Sequence, residues 1–176
     1  MHPNELARYI SEDCIRAAYG VEYALSILKP SEVDSHIYWI PAARMVPGDR
    51  LTSSAGKWMV FGTWEELDLY WEWIKRETVL GTLGPRSKVS TRRPSNLRRE
   101  EGKGVICVYT YSSTDKGDVL RVRQELADMG FTQMMYYKTN EATNKGMYGA
   151  NAWLYKSTGG DLHLNDEEEV EPVVPA

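Results

Sequence analysis

The side chains best suited to chemistry in this 176-residue chain are cations and tyrosines. The stretch 84–104, GPRSKVSTRRPSNLRREEGKG, carries seven basic side chains between Arg86 and Lys103, interrupted only by Glu100 and Glu101, although the chain as a whole has a formal net charge of -4. Arginine offers a planar pair of donors and lysine a compact point charge, the two ways proteins hold a phosphate dianion. Side chains alternate across a strand, so each strand-like segment can be sorted by face. In KVST, Lys88 and Ser90 share a face; in GKWMV, Lys57 and Met59 do. In VICVYTY, Tyr109 and Tyr111 lie with Val105 and Cys107, and in MMYYKT, Tyr136 lies with Lys138. If those faces coincide, Lys57, Lys88, Tyr109, Tyr111 and Lys138 line one surface beside a loop bearing Arg92, Arg98 and Arg99. That surface would suit a phosphorylated ligand.

Other chemistries find no footing in the motifs. His2, His36 and His163 are far apart with no cysteine nearby, so no metal site is expected. There is no Walker loop, no G-x-G-x-x-G and no G-x-S-x-G elbow, and no cofactor is expected. A serine or cysteine triad would lack a placed histidine. Six tryptophans and eleven tyrosines against two phenylalanines are unusual. Trp39 and Trp58, both on strand-like segments, are candidates to stack a base, as aromatic platforms do for nucleotides and single strands. Large core residues are the plainer role for tryptophan, and Trp71 reads that way.

The elements that must position these groups follow from hydrophobic period and punctuation. Residues 5–19 have the spacing of an amphipathic helix, through Leu6, Tyr9, Ile10, Ile15 and Ala18. HIYWIPA (36–42) reads as a strand stopped by Pro41, and GKWMVFG (56–62) as a second strand bounded by glycines. Thr63 with Glu66 forms a capping box ahead of Leu67, Tyr70, Trp71 and Ile74, and Gly81 with Gly84-Pro85 ends that helix. SKVST (87–91) and VICVYTY (105–111) are strands around the Arg-rich loop. A helix with Val119, Val122, Leu126 and Met129 on one face follows, closed by Gly130. QMMYYKT (133–139) and AWLYKS (152–157) complete the pattern, joined by a turn.

This order predicts a single α+β domain over 1–160: a curved, mostly antiparallel sheet of about six strands with helices on one face and the other face free to bind. Residues 161–176 hold six of the 25 acidic residues and no lysine or arginine, and read as an acidic disordered tail. The rest of the chain therefore carries 21 basic against 19 acidic side chains, slightly positive. No apolar run approaches membrane-spanning length, and MHPNELARYI lacks the pattern of a secretory signal. With only Cys14 and Cys107, both expected as reduced thiols, a cytoplasmic protein that does not enter membranes is expected.

The segments GKWMVFGTWEELDLYWEWIKRETVLGTLGPRSKVST, VICVYTY, YYKT and YG resemble the Bles-type family, described for a basophilic leukemia-expressed protein. The resemblance runs from about residue 37 to residue 157. It implies a fold similar to the eukaryotic cap-binding translation initiation factor, and members of this family are labelled phosphothreonine lyase domain proteins. By similarity to such lyases, Lys88 in KVST would be the base that removes a Cα proton. Lys57 would contact phosphate, Arg98 or Arg99 would be a phosphate-binding arginine, and Tyr109 would stand near the site. The position of the lyases' general-acid histidine holds Met59 in this chain, and a thioether has no proton to give. Three readings stand together: a lyase acting by β-elimination on a phosphorylated side chain, a non-catalytic module for a nucleotide, cap-like group or RNA end, and a protein-binding scaffold.

Overall fold

The computed structural model describes residues 27–34, 37–93, 101–149 and 152–165. The helix expected over 5–19, the Arg98 and Arg99 positions and most of the acidic segment lie outside the described residues.

Seven strands form one sheet: β1 (Trp39–Ala43), β2 (Gly56–Thr63), β3 (Arg86–Ser90), β4 (Lys103–Thr110), β5 (Met135–Thr139), β6 (Tyr155–Ser157) and β7 (His163–Leu164). Their spatial order is β1-β3-β4-β2-β5-β6-β7, and every neighbouring pair is antiparallel. The long central strands, β2 and β4, are rich in β formers and pair over eight residues, from Gly56↔Thr110 to Thr63↔Lys103.

Two helices cover one face. Helix α1 (Trp64–Leu80) starts at the expected capping box: the Thr63 side chain accepts from the Glu66 N–H, and the Glu66 carboxylate accepts from the Thr63 N–H. It ends at Gly81, whose left-handed backbone (φ 84) lets the chain turn sharply. Gly84 is needed for a different reason: a Cβ there would lie 1.6 Å from the Tyr109 carbonyl oxygen, so only glycine lets the chain pass β4. Helix α2 (Lys116–Asp128) begins at Asp115, which caps the Asp118 N–H. Leu67, Trp71 and Ile74 of α1 and Val119, Val122 and Leu126 of α2 close over Ile40, Trp58, Val60, Val89, Ile106, Val108 and Tyr137 of the sheet. Arg123 is also sealed here, its guanidinium donating to the carbonyls of Ser157 (3.2 Å), Phe131 (2.9 Å) and Gln133 (2.9 Å).

The structure departs from the sequence expectations at three places. Pro41 does not stop its strand but sits inside β1, opposite Lys88. The reason is position: β1 is the edge of the sheet, so the missing N–H faces away from any partner strand. The sheet has seven strands rather than six, because the first residues of the acidic segment pair as β7 with β6, Tyr155↔Leu164 and Lys156↔His163. The turn after β5 contains a further short helix, α3 (Asn140–Asn144), capped by Thr139. It does not join the other helices, since it meets Lys57, whose side chain leaves the opposite face of β2.

Candidate functional site

Strand alternation decides which side chains can meet. Trp58, Val60, Ile106 and Val108 point at α1 and α2, so Lys57, Met59, Phe61, Cys107 and Tyr109 leave the other, open face. The register then aligns two rows of side chains across the strands. One row runs Arg86, Tyr109, Lys57, Lys138. The next runs Lys88, Cys107, Met59, Tyr136, Lys156, His163. The expected convergence of Lys57, Lys88, Tyr109 and Lys138 on one surface is thus what the pairing produces.

The environments of the three lysines differ. Lys57 is nearly covered, and its ammonium donates to Asn140 Oδ1 (3.0 Å) and Thr143 Oγ1 (2.7 Å) of α3. Two of its three protons are so engaged. Lys138, also buried, donates to the Met147 carbonyl and lies over the Tyr148 ring at 4.0 Å. These two lysines therefore anchor the 140–148 segment as a strap across one end of the open face. Lys88 is half-buried over the Trp39 ring (4.0 Å) and near that of Tyr109 (5.7 Å), with no hydrogen-bond acceptor among the described residues. The ring of Tyr109 also lies 5.7 Å from the Lys57 ammonium.

Burial, with no carboxylate among the charges that act on them, governs the charge of these groups. Desolvation pulls Lys57 down to about 8, with Lys88 and Lys138 pushing the same way and Cys107 opposing. Desolvation also lowers Lys88, helped by Arg86, and lowers Lys138, against Cys107 in both cases. Burial raises the Tyr109 phenol, which stays protonated as a donor. The open face can thus present to an anion the ammonium of Lys88, the remaining proton of Lys57, the Tyr109 hydroxyl and the neighbouring Arg86.

Other sequence candidates are placed differently. Trp58 is fully buried on the helix side and donates its Nε1–H to the Val119 carbonyl, so it cannot stack a ligand. Trp39 remains on the open face, beneath Lys88. Tyr111 lies past the end of β4, where its hydroxyl donates to Asp115 and this bond pushes it up to about 12. Arg92 is exposed just beyond β3, and the adjacent Arg93 lies over the Tyr38 ring at 3.6 Å. Among the described residues no cluster of His, Cys, Asp and Glu could hold a metal, and no helix is long and apolar enough to cross a membrane.

Sequence reasoning missed Arg86, the strap residues Asn140, Thr143, Met147 and Tyr148, and the far pair Trp153 and Lys156. Thr139 before Asn-Glu-Ala was a legible helix start, with Glu141 in its first turn.

Among solved structures, a schistosome eIF4E complexed with m7GpppA and 4E-BP is similar at 12% identity, with a TM-score of 0.45, over 62% of this chain and 59% of that one. The chain therefore matches less than two thirds of that protein's length. A family model described as basophilic leukemia-expressed protein Bles03 matches residues 49–144. That stretch is more than half of the chain and contains Lys57, Lys88, Tyr109, Lys138 and the strap helix, and the chain belongs to the Bles03 family.

Proposed function

We propose that the open face recognises a phosphoryl group, with Lys88 as its main contact and Lys57, Tyr109 and Arg86 converging on it. One observation carries this reading: Lys57, Lys88 and Lys138 leave one face of the sheet buried or half-buried, Lys57 feels the other two and Lys88 feels Arg86, and only the Cys107 thiol opposes, with no carboxylate acting on them. Cations taken out of water without a carboxylate partner are costly, and a phosphate dianion supplies that charge from outside. Proteins retain such an arrangement where a ligand completes it.

The same arrangement supports β-elimination from a phosphorylated threonine or serine side chain. Burial lowers the pKa of Lys88, which favours the neutral amine that proton abstraction needs, and no acceptor among the described residues holds its ammonium. It would take the Cα proton as the Cβ–O bond breaks and phosphate departs with the electron pair. Met59 stands in the Lys88 row and has no proton to give, which leaves the Lys57 ammonium to protonate the leaving group. A well-placed acid or base contributes about 10²–10⁴-fold.

The test incubates the protein with phosphothreonine peptides, measuring affinity by calorimetry and product by mass spectrometry. Binding that weakens at least about tenfold in Lys88→Met supports recognition; loss of the elements of phosphoric acid, abolished in Lys88→Ala, supports elimination. Binding without product confines the site to recognition. No affinity for the peptide, inorganic phosphate or a nucleotide would remove the proposal.

A further inference from the structure

Lys88 is not alone in its geometry. Lys156, on β6, lies 5.4 Å over the ring of Trp153 and has no hydrogen-bond or ion-pair partner among the described residues. It stands in the same row as Lys88, so the open face bears two ammonium groups, each seated on a tryptophan and each without an acceptor. From β3 to β6 is four strand steps, roughly 19 Å at about 4.8 Å per step. Between the two ends the floor is Cys107, Met59 and Tyr136, with Val105 and the 57%-exposed Phe61 beside them. The strap crosses the row of Lys57 and Lys138; in this row Cys107 is buried, Met59 half-buried and Tyr136 exposed.

Two cationic ends joined by an apolar floor fit an extended chain with negative charge at two points and uncharged or apolar side chains between. A peptide strand advances about 3.3 Å per residue, so about six residues separate the two charges. A nucleic acid strand would bring a phosphate to every step between the ends, where Met59 and Phe61 offer it nothing.

We propose that Lys156 and Trp153 form a docking subsite for an acidic side chain about six residues from the phosphorylated residue of an extended peptide. This rests on the phosphoryl reading of Lys88. It makes the substrate class a phosphopeptide with a spaced acidic residue, and it gives the far edge of the sheet a role in selection.

The experiment uses the full chain and fluorescein-labelled phosphothreonine peptides of neutral spacer residues. A single glutamate is placed two, four or six positions to either side of the phosphothreonine, and one peptide has none. The glutamate six residues away, on one side, tightens binding about threefold, as a partly exposed ion pair does. Lys156→Met abolishes that increment and leaves the glutamate-free peptide binding as before, with unchanged circular dichroism and melting temperature. Equal affinity at every glutamate position, or an increment that survives Lys156→Met, overturns the docking subsite while leaving phosphoryl recognition standing. A single-stranded oligonucleotide that displaces every peptide overturns the peptide class. Failure of all the peptides to bind, with inorganic phosphate still binding, also overturns it; failure of both removes the phosphoryl reading as well.

Discussion

Raising the pH from about 7 to about 9 should weaken phosphoryl binding by more than the ligand's own chemistry allows. Lys57 titrates near 8 in the folded chain, against 10.5 for a free lysine. A group with that value is about nine-tenths protonated one unit below it and about one-tenth protonated one unit above, a factor of about ten. If the anion requires the charged form, affinity falls about tenfold, or about 1.4 kcal/mol. Of the groups facing Lys57, Cys107 opposes the shift, while Lys88 and Lys138 add to it, are lowered as well and lose charge in the same direction. A phosphomonoester has its second ionisation near about 6 and is already a dianion over this range. The same shift makes folding more favourable as pH rises from about 8 towards 10.5, because the unfolded chain then holds the extra proton. Calorimetric titration of a phosphothreonine peptide at both pH values, in wild type and Lys57→Arg, is the assay. Arginine keeps its charge, so its curve should be shallower by about tenfold. A wild-type affinity constant to within twofold across the range, or a Lys57→Arg curve as steep as wild type, would show that the Lys57 charge does not hold the anion.

The two tryptophans first considered for stacking should separate cleanly. Trp58→Ala should cost about 3–5 kcal/mol in urea unfolding, because it empties a fully buried site and removes the hydrogen bond to the Val119 carbonyl. Trp39→Ala should leave the unfolding midpoint nearly unchanged and weaken phosphopeptide binding, since its ring seats the Lys88 ammonium. Replacing Asn140 by Ala together with Thr143 by Val removes both acceptors of Lys57, so hydrogen exchange over 140–147 should quicken while β2 amides keep their protection.

The convergence of Lys57, Lys88, Tyr109 and Lys138 was legible because strand alternation has a period of two, and an antiparallel register keeps one parity on one face. That parity also bears on Trp58: a chain that sends Lys57 and Met59 to the open face must send Trp58 to the helices. Position within the sheet was not legible, so Pro41 read as a strand end rather than as a residue of an edge. β7 has two residues and α3 five, too short to show a period, and α3 is held by a single cap and by a lysine distant in sequence. The strap escaped for the same reason, since its contacts to Lys57 join residues 83 and 86 positions apart.

The most direct test of the open face is nuclear magnetic resonance of the lysine ammonium groups during titration with phosphothreonine. The Lys88 and Lys57 signals should shift and saturate together, and those of the exposed Lys29 and Lys145 should not move. Shifts confined to the exposed lysines, or none at Lys88 at saturating ligand, would contradict it.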